Sequence, residues 1–223
     1  MYVLAVPYAK PADPFEIQRV ISEPRIGTYL TATGGSLDRA LELYAWNARM
    51  SAALMLPAHF AEVATRNAVS EALTVTYGQR WPWHEGFELS VPADGKYYKP
   101  RQDLRVTRGR YLTTGKVIAE LKFVFWQKML TARHDARVWE PQILTVFPAT
   151  SVADPHKLRG RVYDDLEGIR RLRNRLAHHE PIFSRDLSSD LSKMLELIGL
   201  RSPSTAVWVR SMERASALLL ERP

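Results

Sequence analysis

The sequence predicts an all-α protein that folds as one domain of about seven or eight helices. Apolar residues recur at spacings of three and four, no useful stretch alternates apolar and polar residues, and no internal repeat occurs. A chain of 223 residues that is 46% hydrophobic, with only 11 Gly and 14 Pro, has enough apolar material for one core. Because Cys is absent, a disulfide framework and thiolate chemistry are excluded.

Capping residues, Pro and Gly mark the ends of the predicted helices. Residues 1–35 hold short helices, and the strongest periodicity predicts one long helix over 154–178, with Asp154 as its N-terminal cap. A long amphipathic segment follows Ser36, and Pro57 is expected to kink or restart it. The predicted helices are 14–22, 25–33, 36–77, 101–111, 116–130, 154–178, 187–200 and 205–221. Residues 79–98 are expected to form a long surface connection.

Positive charge is concentrated in two segments of the chain. Residues 96–110 hold six basic residues against one acidic, a net charge of +5, and residues 157–175 hold seven against three, a net charge of +4. Arg, whose planar guanidinium suits phosphate contacts, accounts for 23 of the 31 basic residues, so the pattern favours a polyanion such as RNA. The alternative is a solvated helix face paired with acids elsewhere. The predicted RNA-binding side chains are those of Arg170, Arg171, Arg175, Lys99, Arg101, Arg105 and Arg108.

A specific motif lies at the end of the long helix, where residues 170–181 read Arg-Arg-Leu-Arg-Asn-Arg-Leu-Ala-His-His-Glu-Pro. Arg173, Asn174 and His178 match the R-N-x-x-x-H signature of the HEPN superfamily. With the residues that follow, the string resembles the Abi-like (abortive infection, AbiD/AbiF type) proteins of bacteria. The resemblance covers most of the chain. It is also carried by Ser22-Glu23-Pro24-Arg25 to Tyr29-Leu30, Leu43-Tyr44-Ala45-Trp46-Asn47, Glu62-Val63-Ala64-Thr65-Arg66-Asn67-Ala68, Tyr77-Gly78-x-x-Trp81 and Phe123-Val124-Phe125-Trp126.

The resemblance implies a HEPN-like helical bundle with metal-independent endoribonuclease activity in phage defence or a toxin–antitoxin system. It implies RNA as the substrate, no cofactor, a homodimer with a composite cleft, and an antitoxin or phage trigger as a further partner. Cleavage of RNA through its own 2′-OH needs a proton acceptor, a proton donor and positive charge at the phosphate. His178 can move the proton, because imidazole titrates near neutral pH. Arg173 can stabilise the phosphate, and Asn174 can orient either group.

Four further residues are predicted to support this site. Among them, His179 has a simpler alternative role at the helix C-terminus, and Glu180 either polarises a histidine or pairs with an arginine. For Glu62 and Arg66, a buried ion pair that braces the motif helix is the favoured interpretation, and the positioning of Arg173 or His178 is the alternative. The four residues are His179, Glu180, Glu62 and Arg66.

Helical geometry does not bring the three catalytic candidates together. Asn174 and His178 share a face, whereas Arg173 lies about 140° around the helix from His178. Either the helix unwinds at the motif, which Pro181 favours, or two chains juxtapose their motifs. The resemblance favours the second arrangement.

Other chemistries lack their sequence signals. The chain has no H-E-x-x-H, no His pair at i,i+4, no Gly-rich phosphate loop and no G-x-S-x-G, and no metal site is expected. The main alternative function is a catalytically inactive HEPN-type module that binds RNA or a phage component, and a purely structural protein comes third. No apolar run of ~18 residues predicts a membrane span, and residues 2–6 lack the flanks of a signal peptide, so we expect a cytoplasmic protein without membrane contact.

Overall fold

A computed structural model describes residues 8–223, and in this range the protein has twelve α-helices and no strand. The all-α prediction is confirmed, whereas the predicted count of seven or eight helices is too low. The expectation about residues 2–6 lies outside the described residues. The helices are α1 Pro14–Ile21, α2 Glu23–Ala32, α3 Leu37–Tyr77, α4 Glu85–Ser90, α5 Pro100–Arg110, α6 Thr114–Glu120, α7 Phe123–Met129, α8 Glu140–Val146, α9 Pro155–Ala177, α10 Leu187–Arg201, α11 Pro203–Met212 and α12 Ala215–Leu220.

Two predicted helices are each divided into two, which accounts for part of the difference in number. The prediction over 116–130 is broken by extended backbone at Leu121 and Lys122, between α6 and α7. The prediction over 205–221 is broken at Glu213, whose ψ is 152°. The Glu213 carboxylate then accepts a hydrogen bond from the Ser216 N–H at 3.0 Å. Glu213 thus ends α11, and its side chain accepts from an N–H in the first turn of α12, whose N-cap residue is Arg214.

The helix α3 is the central element, and it runs unbroken across Pro57. Of the two expectations for Pro57, a kink or a restart, the restart is therefore wrong. Pro57 is buried, and buried residues on both sides of it hold the two halves of α3 against the core, which offsets the hydrogen bond that Pro cannot donate. α3 packs against α2, α7, α8, α9, α10 and α12 around one continuous hydrophobic cluster.

Residues 93–97 are exposed and lie in no helix, as predicted for a surface connection, but residues 79–91 are not one. They form a 3₁₀ turn at Trp81–Trp83 and the short helix α4, and Trp81, Phe87 and Val91 are fully buried. The Trp81 indole N–H donates to the Ser70 Oγ of α3 at 3.2 Å. Aromatic burial therefore fixes a segment that lacks helical periodicity.

The long helix predicted over 154–178 is confirmed as α9. The Asp154 carboxylate accepts hydrogen bonds from the His156 and Lys157 N–H groups, which caps the helix beside Pro155. The buried stripe of α9 packs on α3, α7, α8 and α10, and it consists of Leu158, Val162, Leu166, Ile169, Leu172 and Leu176. In the range 8–223, no helix combines the length and the apolar character that crossing a bilayer requires.

Candidate functional site

The helix α9 ends on a defined turn within the motif. The Glu180 N–H donates to the Arg175 carbonyl at 2.9 Å, and the His179 N–H donates to the Leu176 carbonyl at 3.2 Å. This pair of bonds is a Schellman turn, which needs one residue in the left-handed conformation. That residue is His179, with a φ of 55°. A side chain in this conformation costs about 1–2 kcal/mol, so the surrounding structure must hold the turn in place.

Two helices outside α9 hold this turn. Arg25 of α2 donates from Nη1 to the His179 carbonyl at 2.7 Å. Asn47 of α3 accepts at Oδ1 from the Ile182 N–H at 2.8 Å, and this bond is buried. Positions that are 154 and 135 residues apart in the sequence are thus joined at the motif. The turn after α9 is therefore a fixed part of the fold.

Asn174 and His178 face solvent on the last turn of α9. The His178 N–H still donates to the Asn174 carbonyl at 3.0 Å, so the two residues keep the helical register and share a face, as predicted. Leu172 and Leu176 are buried on the other side of the helix, and both polar residues are exposed. Within one chain, these two side chains therefore point away from the core and toward whatever binds at this surface.

Arg173 lies on a different side of α9, next to α3. Its Nε is 3.9 Å from the Glu62 carboxylate, and its side chain is 42% exposed. In the part of the chain that the structure describes, Glu62 forms no ion pair with Arg66 within 4 Å, so the favoured Glu62–Arg66 interpretation is not what the geometry shows. Glu62 instead directs Arg173. The Nε of Arg66 is buried and finds no hydrogen-bond partner among the described residues.

Glu180 has an arginine as its neighbour. Its carboxylate lies 3.7 Å from the Nε of Arg175, and both side chains are partly exposed. Arg175 also donates from Nη1 to the Pro181 carbonyl at 2.8 Å. These contacts fasten the turn from α9 itself, and they favour ion pairing over histidine polarisation as the role of Glu180 within one chain.

A cavity of about 420 Å³ opens beside the turn. Its wall includes apolar and aromatic side chains from α2 and α3, together with the polar groups of Asn47 and Arg25. Burial, together with the nearby Tyr44, raises the pKa of Tyr29 to about 12, so this phenol stays protonated at neutral pH. Residues that line the cavity include Arg25, Tyr29, Tyr44, Asn47, Met55 and His179.

The first basic segment, residues 96–110, is largely used inside the fold. Arg105 and Arg108 both bind the carboxylate of Glu88, which is only 8% exposed. Burial of Glu88 alone would raise the pKa of this carboxyl, but the hydrogen bonds from the two guanidinium groups outweigh it and leave the pKa below its ordinary value. Arg101 donates to the Val91 and Leu89 carbonyls. Lys99 is exposed at the start of α5.

The ion pairs of the second basic segment, residues 157–175, differ between its two ends. Near its start, Arg159 pairs with Asp135 at 2.6 Å. Near its end, Arg170 and Arg171 share Glu167 of the same helix, at 2.9 and 2.7 Å. The Arg171 side chain is 67% exposed, so this pair is a surface contact that salt or RNA phosphate can replace.

Arg25, Tyr29 and Asn47 were not predicted as site residues, although all three lie in segments that carry the resemblance. One signal was present for Asn47, because it is an amide between apolar residues on the buried side of α3. Nothing in the sequence showed that Arg25 reaches the end of α9, since the contact depends on the packing of α2.

Comparisons of this chain with protein-family models, curated proteins and solved structures find no match. Residues 8–223 contain no group of three or more His, Cys, Asp or Glu side chains arranged to hold a metal ion. The candidate site consists of the exposed face with Asn174 and His178, the adjacent Arg173, and the cavity next to the strained turn at His179.

Proposed function

We propose that this protein is a metal-independent endoribonuclease of a bacterial phage-defence or toxin–antitoxin system, with its site completed by a second copy of the chain. One observation carries the proposal most: the turn that presents His178 is strained at His179 and held from α2 and α3. Strain that the rest of the structure maintains is typical of functional sites. A purely structural helix end would be satisfied by a Gly at this position.

The exposed residues have the chemistry that the reaction needs. His178 accepts the proton of the RNA 2′-OH or donates one to the leaving 5′-oxygen, and Asn174 lies one helical turn away to orient the imidazole or the phosphate. Arg173, directed by Glu62, neutralises the charge that builds up on the phosphate in the transition state. The predicted homodimer supplies a second His178, so that one imidazole acts as the acid and the other as the base.

One feature supports completion of the site by a second copy. Asn174 and His178 are exposed and face away from the core of their own chain, so a second copy can approach them.

The test is incubation of the purified protein with total RNA in EDTA. We expect cleavage by the wild type, and a fall of about 10²–10⁴-fold in rate for His178→Ala, which removes the proton-transfer group. Arg173→Ala is expected to be similarly impaired, whereas Arg19→Ala, an exposed arginine on α1, serves as the matched control and should cleave normally. Thermal denaturation of each variant checks that it is folded. Unchanged cleavage by His178→Ala would exclude the proposal.

The dimer is tested separately. Sedimentation of the wild type should show a dimer, and the cleavage rate per chain should fall when dilution produces monomers. A strictly monomeric chain that cleaves RNA would contradict the composite site while leaving the activity itself in place.

One observation favours the alternative function, a catalytically inactive module that binds RNA. Among the described residues, no side chain forms a hydrogen bond or ion pair with the His178 ring, so nothing within one chain orients it for proton transfer. This alternative predicts salt-dependent RNA binding without cleavage. In cells, it also predicts that wild type and His178→Ala arrest growth equally, whereas the nuclease predicts that His178→Ala abolishes the arrest.

A further inference from the structure

The Asn47 amide has a structural role that uses only half of its hydrogen-bonding capacity. The side chain is 5% exposed, and its Oδ1 accepts from the Ile182 N–H at 2.8 Å. Because a backbone N–H can only donate, the atom bound to Ile182 must be the oxygen, and this fixes which way the amide points. The Nδ2 group, with two protons, has no acceptor among the described residues. The Nδ2 group is not enclosed by protein, and it stays open to the cavity that Asn47 lines.

This amide lines the 420 Å³ cavity next to the catalytic candidates. The remaining wall is mainly apolar and aromatic, with Tyr29, Tyr44 and Met55, and the Arg25 guanidinium lies at the His179 end. The cavity falls within the size range of small-molecule sites. It therefore suits a planar, largely apolar group that presents hydrogen-bond acceptors, and both of its nitrogen-bearing side chains offer donors.

We propose that this cavity binds the base of an RNA nucleotide next to the cleaved bond, and that Asn47 Nδ2 donates to a carbonyl oxygen of that base. The inference rests on the proposed nuclease function. Guanine, uracil and cytosine have such a carbonyl, and adenine does not. Recognition of adenine by an amide uses the amide oxygen and nitrogen together, but the Asn47 oxygen is occupied by Ile182. Adenine still offers ring nitrogens as acceptors, but its N6 amine finds no acceptor on Asn47, so we expect the cavity to bind adenine more weakly.

The position of the cavity agrees with a base subsite. Arg173 and Glu62 meet on the same two helices, α9 and α3, and Glu62 lies about 10 Å along α3 from Met55 at the cavity wall. A phosphate at Arg173 and a base in the cavity are then separated by a distance that one or two nucleotides span. The cavity wall also includes Leu176 and His179, which lie within two residues of His178.

Asn47→Asp is the most informative substitution. The aspartate keeps an oxygen for the Ile182 N–H, but it replaces the Nδ2 donor with an acceptor that repels a base carbonyl. We expect GMP and UMP to bind the wild type at least fivefold more tightly than AMP in isothermal titration, and Asn47→Asp to lose at least tenfold of the GMP and UMP affinity. In cleavage of oligonucleotides that differ at one position, the wild type should prefer G, U or C over A, and Asn47→Asp should lose that preference.

A second variant covers the case in which Asn47→Asp fails to fold. Ala52→Trp adds an indole at an exposed position on the cavity wall and fills the space without touching the Ile182 bond. It should lower mononucleotide affinity as Asn47→Asp does. Ala119→Trp, exposed on α6, is the matched control and should bind normally.

Three outcomes overturn the base subsite. AMP that binds as well as GMP, affinity that neither variant changes, or binding of free mononucleotides without any base preference in cleavage would each contradict it. Failure of the nuclease proposal would look different, because the wild type would then leave RNA intact while the titrations still report on the cavity.

Discussion

The two arginine-rich segments of this protein look alike in sequence and serve different purposes in the structure. In residues 96–110, three arginines bind Glu88 or backbone carbonyls of the 79–98 segment, although the Arg105 side chain is itself 59% exposed. In residues 157–175, the arginines near the end of α9 pair with a glutamate of their own helix and stay accessible. Arginines of the first segment therefore hold elements of the fold together, and those near the end of the second stay exposed on one helix.

The position of the acidic partner explains why the arginines of the two segments differ. Glu88 lies on another helix and is buried, so its ion pairs hold α4 against α5. Glu167 lies on the same helix as Arg170 and Arg171 and is partly exposed. Its two ion pairs therefore stay within α9 and do not link α9 to another helix. A count of charges along the chain shows where cations are concentrated, but it does not show which of them are free. The interpretation of both segments as RNA-binding stays a prediction, and the geometry favours it only for the second.

The largest expected effect follows from removal of the buried partner. Glu88→Ala leaves Arg105 and Arg108 without their acceptor and opens a gap between α4 and α5, so we expect a loss of about 2–4 kcal/mol in the free energy of unfolding. Urea denaturation measures it. Glu85→Ala, exposed on the same helix, is the control and should change stability by less than ~0.5 kcal/mol. If Glu88→Ala and Glu85→Ala had the same free energy of unfolding, the ion pairs of Glu88 would not stabilise the fold.

The next effect tests whether the start of the second segment is also structural. Arg159 binds Asp135, next to His134, which is 3% exposed. Burial, assisted by Arg133 and opposed by Asp135, lowers the pKa of His134 to about 4 from its ordinary value of 6.5. The unfolded chain therefore takes up a proton first as the pH falls, and stability is lost between pH 6.5 and 4.

At pH 5, this loss is about 2 kcal/mol, because one pKa unit corresponds to 1.36 kcal/mol. His134→Gln cannot take up the proton, so its stability should depend less on pH by that amount. Urea denaturation of wild type and variant at pH 7 and pH 5 gives the comparison. If the free energy of unfolding of wild type and His134→Gln fell by the same amount between pH 7 and pH 5, then His134 would not be buried in its neutral form beside Asp135.

The sequence was sufficient where structure depends on local patterns. Periodicity and the Asp154 cap predicted α9 almost to the residue, because the apolar stripe and the cap act within one helix. It was insufficient where distant residues meet. Trp81 and Phe87 are buried in the common core, where Trp81 packs against Trp126, and the turn after α9 depends on Asn47, 135 residues from its partner Ile182. Such contacts leave no periodic signal.

The candidate site shows the same difference between local patterns, which the sequence predicts, and contacts between distant residues, which it does not. The shared face of Asn174 and His178 followed from helical spacing and is found in the structure. The contact of Glu62 with Arg173 was the less favoured interpretation, since i,i+4 spacing on α3 pointed to Arg66 instead. Spacing within one helix cannot show that a neighbouring helix supplies a better-placed partner.

The smallest expected effect is the most direct comparison of the two segments. Arg171 and Arg105 are matched: each is on a helix surface, each pairs with a glutamate, and their side chains are 67% and 59% exposed. We expect Arg171→Gln to lower the affinity for single-stranded RNA about threefold, and the slope of log K against log salt to fall by about 0.7, because one phosphate contact is lost.

Arg105→Gln should leave RNA affinity and its salt slope unchanged, and should instead lower stability by about 1 kcal/mol because a hydrogen bond to a buried carboxylate is weakened. Fluorescence anisotropy at several salt concentrations, with both substitutions made on the His178→Ala background so that the RNA stays intact, measures the affinities. If Arg105→Gln weakens RNA binding as much as Arg171→Gln does, then pairing with a buried acid does not withdraw an arginine from the RNA surface, and both segments bind RNA.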